Sequence, residues 1–85
     1  MIQFKGDDGS TKDQAIIILG AKSDFEGVDA EYRYLDKNYP DWEFDEQTLF
    51  FEKDMQYDLM AIELPDGSKK DIWFDISDFY AKEDD

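Results

Sequence analysis

The sequence predicts a two-layer α+β domain on three observations: an amphipathic helix over about residues 23–39, a C-terminal half whose apolar residues alternate, and a proline–glycine turn between two of the alternating runs. The sheet is expected to be antiparallel, with four or five strands of which the last three form a meander, and to carry the helix on one face. At 85 residues the chain reads as a single domain, 1–85, with one modest core.

The elements follow in chain order. Ile2 to Phe4 alternates apolar and polar residues, and Gly6-Asp7-Asp8-Gly9-Ser10 is rich in residues that turn the chain, so a short strand and a loop are expected. Ala15 to Leu19 is a continuous, largely β-branched run closed by Gly20, which fits a strand covered on both faces; a helix starting at Ser10 or Thr11 is the alternative for residues 11–19.

Ser23-Asp24-Phe25-Glu26 matches a capping box, in which the serine oxygen accepts a free amide and the glutamate three residues on bonds back. Phe25, Val28, Tyr32, Leu35 and Tyr39 continue at spacings of three and four as one apolar stripe, and Pro40 ends the helix. Gly27 weakens the helix locally, and its expected role is a close approach to the sheet.

From Thr48 the period is two. Leu49 and Phe51, then Met60, Ile62 and Leu64, then Ile72, Phe74 and Ile76 each line one face of a strand, while Asp41 to Glu46 reads as loop. Glu52 to Gln56 joins the first pair loosely, and Pro65-Asp66-Gly67-Ser68 is a strong hairpin turn. Ser77 to Tyr80 is expected to make one helical turn that folds its aromatics back, and Lys82 to Asp85 to fray. Asp71, Trp73 and Asp75 would then point to the face opposite the helix, beside Tyr57 and Leu59.

Composition excludes much. With 41% hydrophobic and 16% aromatic residues the chain is too apolar for a disordered acidic tail. Without cysteine or histidine it lacks disulfides, thiolate nucleophiles, the usual general base and the common zinc ligands, so no enzyme, cofactor or metal site is expected. Its longest apolar run, Ala15 to Leu19, is far below the about 20 residues a membrane helix needs. The N-terminus carries acid where a signal peptide needs base, so a cytoplasmic protein is expected.

Asp41, Glu43, Asp45 and Glu52 fall in an EF-hand-like register, but Glu46 stands where that loop needs glycine. Gly6, Gly9 and Lys12 do not match a phosphate loop in spacing, and Asp7 and Asp8 would repel phosphate. Direct nucleic-acid binding and anionic membranes conflict with 23 acids against 9 bases and a formal charge of −14.

That charge is concentrated. Between Asp24 and Glu46 stand nine acids (Asp24, Glu26, Asp29, Glu31, Asp36, Asp41, Glu43, Asp45 and Glu46) against Arg33 and Lys37, which is half of the net charge. Two like charges about 6 Å apart in water repel by about 0.7 kcal/mol before screening, and ordinary solubility needs a net magnitude of only about 2 to 8.

Two functions are expected from this pattern. The first is a non-enzymatic inhibitor or binding module whose acids, with Trp42 and the Asp71–Trp73–Asp75 ridge, dock on a basic protein surface such as the nucleic-acid channel of a nuclease, repressor or defence enzyme. DNA mimics, anti-defence proteins and immunity proteins share this profile of size and charge. The second is an interaction domain that self-associates, as a homodimer for example, through its uncovered sheet face, with the acids serving solubility or a salt-rich environment.

Overall fold

The computed structural model describes residues 1–81, so the stretch expected to fray, Lys82 to Asp85, lies outside the described residues. Five strands and one helix follow in the order β1 (Gln3–Gly6), β2 (Ile16–Leu19), α1 (Asp24–Asn38), β3 (Glu43–Glu52), β4 (Met55–Glu63) and β5 (Lys69–Asp75), with a 3-10 turn at Lys12–Gln14 before β2. The strand alternative for residues 15–19 is therefore the observed one. No helix among the described residues is long and apolar enough to cross a membrane.

The strands lie in the order β1-β2-β5-β4-β3. β3, β4 and β5 form the expected antiparallel meander, and β1 pairs with β2 antiparallel. The expectation of a wholly antiparallel sheet is corrected at one junction, where β2 runs parallel to β5 with Ile16 opposite Phe74 and Ile17 opposite Asp75. The cause is the helix. Its 15 residues carry the chain back along the sheet, so β3 starts from the end where β2 started, as in any helical crossover. Two antiparallel turns later β5 points the same way as β2 and slots beside it.

Local chemistry places each element. The Ser23 hydroxyl accepts the Glu26 backbone amide at 3.3 Å, and the Glu26 carboxylate accepts the backbone amide of Lys22 at 3.1 Å, one residue before the position a capping box specifies. Pro40 follows the C-cap residue Tyr39. The Pro65–Ser68 turn closes with Leu64 and Ser68 hydrogen-bonded at 2.9 Å and Gly67 at φ 88°, a conformation that glycine takes freely. β3 and β4 meet at Lys53–Asp54, with Lys53 at φ 48°.

β3 begins at Glu43, five residues earlier than the alternation suggests, and Glu43 to Glu46 are strand rather than loop. A bulge explains the difference. Phe44 pairs with Ile62 and Glu46 with Ala61, so one extra residue breaks the period of two where the acids are densest.

The core lies between α1 and the sheet: Ile16, Ile18, Met60, Ile62, Ile72 and Phe74 from the strands meet Ala30 and Leu35 from the helix. Phe79 folds back onto it from the C-terminal turn, as expected. The buried line of α1 is Gly27, Ala30, Glu31 and Leu35, not the predicted stripe. Of that stripe Leu35 is buried and Tyr39 packs against the core, while Phe25 is 81% exposed and Val28 and Tyr32 are exposed as well. Gly27 accommodates this rotation, since it lies against the ring of Phe79, where a Cβ would overlap it.

The other sheet face is not covered by a second layer of the described chain. Leu59 pairs with Trp73 and Tyr57 with Asp75, as anticipated, and the Trp73 ring sits 5.1 Å from Phe50 and 6.2 Å from Tyr57 between centroids.

Candidate functional site

Eight of the nine acids between residues 24 and 46 are exposed: Asp24, Glu26, Asp29, Asp36, Asp41, Glu43, Asp45 and Glu46. Glu31 is the exception. It is fully buried between α1 and the sheet, so it cannot contribute to a docking surface. Asp75 is also buried, with its carboxylate accepting the Ser77 backbone amide at 3.0 Å. The ridge expected on β5 is therefore reduced to exposed Asp71 and half-buried Trp73.

Some of the exposed charge is compensated within the chain. Asp29 pairs with Arg33 at 2.8 Å one helical turn on, and Lys69 bridges Asp45 at 3.2 Å and Glu63 at 3.1 Å. Such pairs are weak at a surface, and they leave the remaining six acids of the segment without a salt bridge among the described residues.

What sequence reasoning missed is an apolar band beside these acids. Trp42 meets Tyr32 edge-on, with ring centroids 5.4 Å apart, and its Nε1 donates to the Asp36 carboxylate at 2.7 Å. Tyr32, Val28 and Phe25 share one shallow depression along α1 together with Asp29. Val28 also lines a cavity with Leu49 and Tyr80, and the ring of Tyr80 lies 5.3 Å from that of Phe51. The band thus runs from Trp42 along α1 and across to β3, with Asp24, Asp29 and Asp36 set along it. Its signal in the sequence was the helical stripe itself, of which Phe25, Val28 and Tyr32 are exposed.

Among the described residues β3 is the edge of the sheet on this side, and all ten of its residues are exposed, including Phe44 at 52% and Phe51 at 59%. A long edge strand with exposed aromatics is a ready template for another strand. Four of its ten residues are acids: Glu43, Asp45, Glu46 and Glu52.

The cavity between α1 and β3 holds the site's one strongly perturbed group. Burial, reinforced by the hydrogen bond and charge of Asp58 on β4, pushes the Glu31 carboxyl up to about 10. Burial raises Asp58 too, against hydrogen bonds from Glu31 and Gln47 that lower it; the Gln47 amide donates to Asp58 Oδ2 at 2.7 Å. At neutral pH the two carboxyls share a proton. No group of three or more acids that could hold a metal ion occurs among the described residues.

Fold and surface together define a class: a two-layer α+β domain of five mixed strands and one helix, with an acid-lined apolar band beside an open strand edge. No family model, curated protein or solved structure matches the chain.

Proposed function

We propose that this chain is a non-enzymatic protein-binding module whose α1–β3 face docks on a basic protein surface, acting as an inhibitor of a nuclease, repressor or defence enzyme by covering the groove that receives nucleic acid. The observation that supports it is the apolar band from Trp42 to Phe51 lying among exposed acids, next to a strand edge with no partner among the described residues. Apolar anchors inside a charged surround are the common anatomy of a protein interface.

Charge selects the kind of partner. A second copy laid along β3 would bring acids against acids, whereas a strand or groove rich in lysine and arginine turns the same four carboxylates into attraction and speeds association by steering.

The test starts from a low-salt pull-down and a salt-eluted, purified partner. Its association rate should fall steeply with ionic strength, and the triple variant D24N/D29N/D36N, which alters only exposed side chains, should bind markedly more weakly while its thermal unfolding stays cooperative. Recovery of no basic protein, or binding indifferent to both salt and the triple variant, defeats the reading.

The Phe50–Trp73–Tyr57 cluster favours one other reading, self-association through the open sheet face. That association should be insensitive to salt or strengthen with it, and be abolished by Leu59→Lys at the centre of the face.

A further inference from the structure

We propose that the cavity between α1 and the β3–β4 hairpin is a binding site for a primary alkylammonium group, carried by a small amine or by a lysine side chain. The inference rests on the cavity and is independent of whether the outer face docks a protein.

The cavity is about 130 Å³, close to the ~150 Å³ engineered cavity that accepts benzene, so four or five heavy atoms fit. Its walls are apolar, with Val28, Leu49, Ile76 and Phe79 around it, and its polar end is formed by Glu31, Asp58 and Gln47. Val28 and Leu49 are themselves exposed, which puts an opening on the outer surface.

The polar end is incompletely satisfied. Glu31 is fully buried, and apart from the proton it shares with Asp58 no hydrogen-bond donor among the described residues reaches Oε1 or Oε2; the same holds for Asp58 Oδ1, while Oδ2 takes the Gln47 amide. With both carboxyls ionised, that leaves three free acceptor atoms at one end of an apolar pocket. A primary ammonium has three N–H donors on a flexible apolar stem, so it matches the count and the walls together. A divalent cation needs about six oxygens and finds too few here.

The charge balances in exchange. The empty pair carries one negative charge and a shared proton, and an entering ammonium takes the place of that proton, which leaves to solvent as Glu31 ionises. Asp24 of α1 and Tyr80 of the C-terminal turn are the other titratable groups around the cavity; β3 contributes only Gln47 and Leu49. Apparent affinity should therefore rise with pH, by up to tenfold per unit while the empty pair holds its proton.

Amide NMR titration of the whole chain with butylammonium chloride near neutral pH, against sodium chloride at matched ionic strength, tests this. Saturable shifts of the Gln47 side-chain amide and of the backbone at Glu31 and Asp58 are expected with butylammonium alone, and Glu31→Gln should weaken binding by about tenfold or more. Asp58→Asn should weaken it likewise, so the test does not depend on one variant folding. Nα-acetyl-lysine-N-methylamide separates the sources: saturable binding points to a protein side chain, and its failure where butylammonium succeeds points to a free amine. No saturable shift, equal binding of tetramethylammonium, which has no N–H donor, or unchanged affinity in both variants would overturn the proposal.

Discussion

Replacing Glu31 by glutamine should remove much of the dependence of stability on pH. In the folded chain the Glu31 carboxyl holds its proton up to about 10, against 4.5 for the ordinary side chain. Between those values the folded state binds more protons than the unfolded one, so folding loses stability as pH rises. The slope is about 1.4 kcal/mol per pH unit for one proton, and the interval from 4.5 to pH 7 amounts to at most about 3.5 kcal/mol. Against a total of about 5–15 kcal/mol that is a large fraction. Glutamine has nearly the same shape and no proton to lose. Thermal unfolding followed by circular dichroism should therefore show the two proteins close together near about pH 4 and the variant ahead by on the order of 10–20 °C at pH 7. The difference between the curves is the readout, since repulsion among the exposed acids acts on both. Parallel curves would show that Glu31 ionises freely in the folded chain, and the reasoning about its burial would fail.

Three further outcomes are expected. Gly27→Ala places a methyl group where the Phe79 ring lies and should cost about 1–3 kcal/mol as a loss of melting temperature, recovered in part by adding Phe79→Leu. Sodium chloride raised to about half-molar should increase the melting temperature by screening the acids along α1 and β3; a flat response would show that they are dispersed or neutralised and would remove the charge argument for a basic partner. Trp42→Phe deletes the Nε1 donor to Asp36 and should destabilise the chain by about 1 kcal/mol in urea unfolding, with a smaller loss if Asp36 is replaced by Ala first, which removes the acceptor.

The elements that the sequence made legible are those set by local chemistry. Ser23 and Pro40 bound the helix, and Pro65 and Gly67 place the β4–β5 turn, because each acts on backbone conformation within a few residues. The parallel pairing of Ile16 with Phe74 was not legible, since it depends on the path that α1 takes across the sheet. Residues 43 to 46 look like loop in the sequence because the bulge after Phe44 hides a period of two behind consecutive acids.

The candidate site was legible as a charge count and not as a geometry. Eight of the nine acids counted are exposed, and counting could not separate Glu31 from them, because a glutamate at a helix position carries no local mark of burial. The apolar stripe failed in the complementary way: Phe25, Val28 and Tyr32 face out while Glu31 faces in. Either choice costs stability, the first by leaving apolar surface in water and the second by desolvating a carboxyl. Packing at Gly27 and Phe79 explains how the helix can hold this rotation, but not why its sequence keeps an acid on the covered side and aromatics on the open one. Local rules and the global fold conflict most often where a protein binds something. Both conflicts lie on one helix, and Val28 and Glu31 meet at one cavity beside β3. The two proposed features, an apolar and acidic docking face with an ammonium-sized pocket beneath it, would account for the two together.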